Sequence, residues 1–197
     1  MTEDHGAQLP LSGARGPLPA RSAAEAHLYL ILHPCECGAA RPHGSQELGE
    51  GGDGGLMSLH AGTCPGCGRR WSVAFSLPAS APLPGRIGGT EPSAIIGPGE
   101  WFWLSEQDAG VPAGGGPLSP GDRARLSRAA DETDEVAKFI PPCHDRVPDD
   151  AFTSSLDRAM HAAFPGRFLK ADLTSRAQLY RAGARPGCVR HPLGQAS

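Results

Sequence analysis

Four cysteines set as two close pairs, Cys35/Cys37 and Cys64/Cys67, constrain this chain more than any other feature. Each pair follows a short stretch that reads as a strand. Two thiols on a tight turn can close on one metal ion, and a second such turn completes a tetrahedral thiolate shell. The second turn, Cys64-Pro65-Gly66-Cys67-Gly68, is the better formed. Pro65 and Gly66 supply turn chemistry, and Gly68 lets the backbone approach the sulfur. The first turn, Cys35-Glu36-Cys37-Gly38, has a single residue between its cysteines, which tightens the geometry. His33 and His60 flank the turns and are the alternative ligands should one cysteine stand outside the shell. The expected site is structural Zn2+ held by Cys35, Cys37, Cys64 and Cys67. A closed shell leaves no position for a reactive water, so the metal is expected to scaffold and not to catalyse.

Thiols stay reduced, and free to bind metal, in the cytoplasm. Residues 1–20 are acidic and then rich in Pro and Gly, unlike the basic and then apolar start of a secretory leader, so the cytoplasm is the expected compartment. No apolar run approaches the roughly 18 residues of a membrane span, and no membrane partner is expected. The net charge is −3. Nucleic-acid binding by phosphate neutralisation favours a basic domain, so that role is the alternative, not the leading expectation.

Gly and Pro number 27 and 20, which predicts a modest core interrupted by long irregular segments. Residues 1–24 read as a disordered arm. Residues 25–78 read as one small domain: a strand over His27–Leu32, the first cysteine turn, a flexible glycine-rich excursion over 39–55, a strand over Leu56–His60, the second turn, and a strand over Trp71–Leu77. In the last, Trp71, Val73, Phe75 and Leu77 share a face. Residues 79–116 read as a Pro/Gly-rich connection with a short helix near 100–109. Residues 117–183 read as helical. Ser119 is placed to cap a helix that begins at Pro120 and buries Leu126, Ala129, Ala130, Val136, Ala137 and Ile140. A second helix near 150–163 shows Leu156, Ala159, Met160 and Ala163 at helical spacing. A third near 167–182 carries Leu169, Leu173, Ala177 and Tyr180. Residues 184–197 read as a disordered tail. The expected fold class is α+β: a three-stranded zinc β-ribbon followed by three or four helices.

Residues 28–77 resemble a zinc ribbon, through the order of strands and turns and through the Cys-Pro-Gly-Cys-Gly turn in particular. More narrowly they resemble the bacterial CpXC-type domains, which have two Cys-Pro-x-Cys turns a few tens of residues apart. Cys64-Pro65-Gly66-Cys67 matches that pattern; Cys35-Glu36-Cys37 departs from it. The resemblance covers about a quarter of the chain. It implies a metal-stabilised ribbon and, because such ribbons serve many roles, no single activity.

Weaker candidates have plainer readings. Cys143-His144 and Cys188/His191 would make a second metal site only in partnership. Arg69 and Arg70 beside the second turn suit a solvated turn or, with Arg86, a phosphate contact. Trp71, Trp101, Phe102 and Trp103 suit a core; if exposed, they would anchor a partner. Asp131-Glu132 and Asp134-Glu135 read as a solvated helix face. Gly114-Gly115-Gly116 lacks the lysine and hydroxyl of a phosphate loop. Thr63 before Cys64 departs from the zinc-deaminase pattern, which has proline there and a His-x-Glu upstream. The expected role is therefore an interaction or regulatory module with a protein partner, not an enzyme. A metalloenzyme ranks behind the nucleic-acid alternative.

Overall fold

In a computed structural model the described residues are 16–41, 44–51, 55–79, 87–110 and 118–185. They form a mixed α+β structure with a four-stranded sheet and five α-helices. The chain divides into two compact units, Met1–Gly89 and Thr90–Ser197. The outer part of the expected arm, residues 1–15, and of the tail, residues 186–197, lie outside the described residues. So do Gly114-Gly115-Gly116, Arg86, Cys188 and His191.

The first unit contains β1 (Leu18–Pro19), α1 (Ala23–Leu32), β2 (Ser45–Glu50), β3 (Leu56–Thr63) and β4 (Arg70–Leu77). The sheet order is β1-β4-β3-β2. The ladders β2–β3 and β3–β4 are antiparallel, and β1 runs parallel to β4. Three differences from the sequence reading stand out. Residues 27–32 belong to a helix and not a strand. Ser22 caps it, its Oγ accepting the Glu25 N–H at 3.0 Å. Ala23, Ala24 and Ala26 then lead with the strongest helix former. Ser22, Ala23 and Ala24 fall in the supposed arm, and without them the apolar run HLYLIL reads as a strand. The second difference is β2: SQELGE has no apolar alternation because it is the sheet's exposed outer strand, and its backbone pairing with β3 orders it. The third is β1, two residues long, which adds a fourth strand to the expected three. Residues 18–24, expected in the arm, thus contain β1 and the start of α1.

The best sequence strand is β4. Its Phe75 is fully buried and meets Tyr29 of α1 edge-on at 5.7 Å and His60 of β3 at 5.5 Å. Opposite Phe75 sits Ser58, also fully buried; its Oγ accepts from Gln46 Nε2 at 3.1 Å and pairs with His60 Nε2 at 3.0 Å. A buried hydroxyl with two partners avoids the desolvation penalty of a lone one.

The second unit contains α2 (Pro98–Ala109), α3 (Pro120–Ala137), α4 (Ser155–Ala163) and α5 (Lys170–Ala184), with 3-10 turns at Asp149–Ala151 and Pro165–Phe168. Ser119 caps α3 as the sequence suggests: its Oγ accepts the Asp122 N–H at 3.1 Å. Leu126, Ala129, Ala130 and Val136 are buried, while Ala137 and Ile140 are half-buried. Trp101 and Phe102 of α2 are core residues, and Phe102 packs on Phe168 at 5.2 Å. Trp103 is half-buried. On α5, Leu173 and Ala177 are buried.

Two expectations about helix faces are reversed here. On α4, Ala159 and Ala163 are exposed and Leu156 and Met160 half-buried; the fully buried side chain is Asp157. Its carboxylate accepts four backbone N–H groups: Gly99 at 2.8 Å and Glu100 at 3.1 Å through Oδ1, Thr153 at 3.2 Å and Ser154 at 3.1 Å through Oδ2. One carboxylate thereby caps α4 and satisfies the start of α2, where it also meets the positive end of the dipole. The close approach requires Gly99, since a Cβ there would lie 2.6 Å from Asp157 Cα. On α3, the acidic run is not a solvated face. Glu132 and Glu135 are buried, and Asp131 and Asp134 flank Arg181 of α5. Helical rotation places alternate members of the run toward α5 and the core.

Candidate metal centre

The four cysteine thiols converge. Cys35 and Cys37 lie on the turn between α1 and β2, and Cys64 and Cys67 on the turn between β3 and β4. All four sulfurs lie within 4.8 Å of one another; Cys35 Sγ to Cys67 Sγ is 3.6 Å and Cys37 Sγ to Cys64 Sγ is 3.5 Å. Around a metal with bonds of about 2.3 Å, tetrahedral sulfurs stand ~3.8 Å apart. The cluster therefore has the size and donor set to hold a metal ion.

Local backbone builds each half. In the first turn the Gly38 N–H donates to Cys35 O at 2.7 Å and the Cys35 N–H to Ala39 O at 3.0 Å. In the second the Gly68 N–H donates to Cys64 O at 2.9 Å and the Cys64 N–H to Arg69 O at 2.8 Å. Gly38 and Gly68 close the two turns with φ of 83° and 70°, the left-handed region where a side chain is strained. The single residue between Cys35 and Cys37 is enough because Gly38 reverses the chain at once. Gly66 lies against the other turn: a Cβ there would fall 2.9 Å from the Ala39 Cβ and 3.2 Å from the Cys37 sulfur. Arg69 and Glu36 form an ion pair between the turns, but both side chains are largely exposed, so it contributes little.

The thiols are unlike one another. Backbone N–H donors on Cys67 and Gly66 hold the Cys64 thiol down at about 6, against its burial. Cys37 receives the Ala39 N–H, which lowers it, yet contacts with the Cys64, Cys67 and Cys35 thiols together with burial push it up to about 11. Thiolates gathered this closely repel one another. A divalent cation at the centre would favour the thiolate form of all four.

The reserve histidines are engaged elsewhere. His33 stacks on Tyr29 at 3.9 Å, with Nδ1 2.9 Å from Tyr29 O. His60 contacts Ser58 and Phe75, and burial first, then His27, lowers its pKa. Neither belongs to the cluster. Cys143 is exposed, with a φ of 66°, and the partners imagined for it lie outside the described residues. The sequence reading passed over Arg41, which stacks on Trp71 with its guanidinium carbon 5.4 Å from the ring centroid. Only tertiary structure brings that arginine to the tryptophan, and no spacing rule would have found it. Comparisons with family models, with curated proteins and with solved structures give no match to this chain.

Proposed function

We propose that this chain is a zinc-ribbon-like interaction module: Zn2+ on Cys35, Cys37, Cys64 and Cys67 fixes the small sheet unit, whose surface meets a protein partner. The observation that carries this reading is the convergence of four sulfurs from two turns, with no oxygen or nitrogen ligand among them. An all-thiolate tetrahedral set suits zinc or iron and disfavours magnesium or calcium. Isolated, closed sites of this kind are structural, and the energy of filling one is folding energy. Such thiols survive as ligands in a reducing compartment, which supports a cytoplasmic role. Among the described residues, no helix is long and apolar enough to cross a membrane.

A partner surface draws on the first unit. Trp101 and Phe102 are buried, which removes them as anchors, while Ile31 and Leu48 are 51% and 63% exposed. Arg69, one of the cations a nucleic-acid role would use, is paired with Glu36.

The test is capture of partners from the native organism with metal analysis of the same preparation. The expected result is one zinc per chain and a protein partner lost on Cys64→Ser. Iron in place of zinc, a metal-free folded chain, or a nuclease-sensitive and steeply salt-dependent partner would each overturn the reading.

A further inference from the structure

The end of the sheet nearest the metal turns carries a cleft of about 830 Å3. Strand β2 begins at Ser45, opposite Ala61, whereas β3 and β4 pair on through Gly62↔Trp71 and Thr63↔Arg70. Those last two rungs lie beyond the end of β2, and the space beside them is the cleft. The Trp71 indole lies across its partner Gly62: a Cβ there would fall 2.9 Å from Cζ2 and 3.2 Å from Nε1. A tryptophan can lie flat on the sheet only because that partner has no side chain. Arg41 covers the ring, and Arg70 also lines the cleft.

Two features point to a ligand. Arg41 Nε and Trp71 Nε1 are buried donors with no hydrogen-bond partner among the described residues. A donor left so costs on the order of 1–3 kcal/mol, which a ligand supplying the acceptor removes. Second, the described lining holds two guanidinium groups and the hydroxyls of Ser45, Thr63 and Ser72, and no carboxylate. The cleft is cationic and donor-rich, with the Trp71 indole in its lining.

We propose that this cleft binds the carboxylate of an acidic peptide segment, with Arg41 and Arg70 as its cations and Trp71 as N–H donor. This rests on the reading of the chain as an interaction module and names the chemistry of its partner. A peptide fits better than a nucleic acid. Following a phosphate backbone takes a row of cations. The other described arginines of the unit are committed, Arg21 to Glu25 and Arg69 to Glu36, and β2 adds the exposed carboxylates Glu47 and Glu50. Two cations in one cleft match one or two carboxylates, and planar guanidinium forks hold a carboxylate through paired hydrogen bonds.

The test is a titration of the full, zinc-loaded chain with a penta-glutamate peptide, read by the indole N–H resonances. Trp71→Phe identifies the resonance concerned. Saturable binding is expected, with a downfield shift of the Trp71 indole proton as it gains an acceptor. Arg41→Met and Arg70→Met should each weaken binding about tenfold, as expected for loss of one charge-assisted contact. A penta-glutamine peptide should not bind. Three results would overturn the proposal: no saturable shift at millimolar peptide, equal binding by both arginine variants, or tighter binding of a single-stranded oligonucleotide or inorganic phosphate than of the peptide. A protein partner captured equally by wild type and both variants would sink the cleft alone and leave the module reading standing. Loss of every partner with peptide binding intact would do the reverse.

Discussion

The two units of this chain solve the problem of stability in different ways. Among the described residues, the buried apolar side chains of the first unit are Ala20, Ala26, Leu30, Cys64 and Phe75, only one of them aromatic. The second buries Trp101, Phe102, Phe152 and Phe168 together with Ile96, Leu104, Leu126, Val136, Val147 and Leu173. A core as thin as the first does not hold a small fold by hydrophobic burial alone; in the proposed reading a metal cross-link on the four thiols would make up the difference. The second has apolar surface to spare and uses a buried carboxylate, Asp157, to decide how its helix ends meet. A metal on the thiols would join turns distant in sequence with one strong centre; the carboxylate joins helix ends with four weak bonds that burial protects.

The largest effect that would break this contrast is metal removal. A strong chelator, or Cys64→Ser, should unfold the first unit with a loss on the order of 10 kcal/mol, leaving the second folded. Backbone NMR checks this directly, since resonances of β2, β3 and β4 should collapse while those of α2 to α5 persist. Dispersed β3 and β4 signals after chelation would mean that the thin core suffices by itself.

Asp157→Ala tests the other side. It strips the acceptor from four buried or half-buried N–H groups and should cost about 4 kcal/mol, with at least 1 kcal/mol for each donor left dry. Urea unfolding followed by far-UV circular dichroism should show a lowered midpoint for the helical transition and unchanged metal content. An unchanged midpoint would show that packing alone sets the α2–α4 arrangement.

Glu132 sharpens the comparison, because it puts a carboxyl into the helical core without such donors; its Oε2 is buried and unpartnered among the described residues. Burial first, then Asp108, raises it from 4.5 to about 8, while Arg128 opposes and Asp131 adds to the rise. Between those values the folded chain keeps a proton that the unfolded chain has lost, so stability falls as pH rises through the window. Glu132→Gln should remove the fall. Thermal melts should show the variant more stable than wild type at pH 8, by about 2 kcal/mol once solvent relaxation is allowed for, and nearly equal at pH 4.5. Parallel curves across that range would refute the assignment. The smallest effect belongs to Arg69→Met, which removes the exposed pair with Glu36 and should leave the stability of the metal-loaded unit nearly unchanged. A larger change would mean that the pair, and not the metal, clamps the turns.

How much of this was legible beforehand varies by element. The cysteine cluster was, because two turn-bound pairs at that spacing have few uses. So was the start of α3, where Ser119, Pro120 and Asp122 spell out the cap. α1 was not legible although Ser22-Ala23-Ala24-Glu25 carries a capping signature, because the apolar run that follows suits a strand equally well. β2 was invisible, since an exposed outer strand takes its order from its neighbour's backbone and needs no apolar pattern. The burial of Glu132, Glu135 and Asp157 was also hidden; charged residues are read as solvated unless a partner is known, and these partners lie on other elements.

The sequence by itself determined the two cysteine turns, the α+β class, and the cap that starts α3. Each cysteine turn and the α3 cap depend on residues within a few positions of one another, where local geometry decides. Tertiary structure decided which face each helix buries, that Asp157 joins α4 to α2 at Gly99, and that Arg41 lies over Trp71 above Gly62. Those contacts join residues tens of positions apart, and their energies exist only once burial has removed the water that would otherwise satisfy each group.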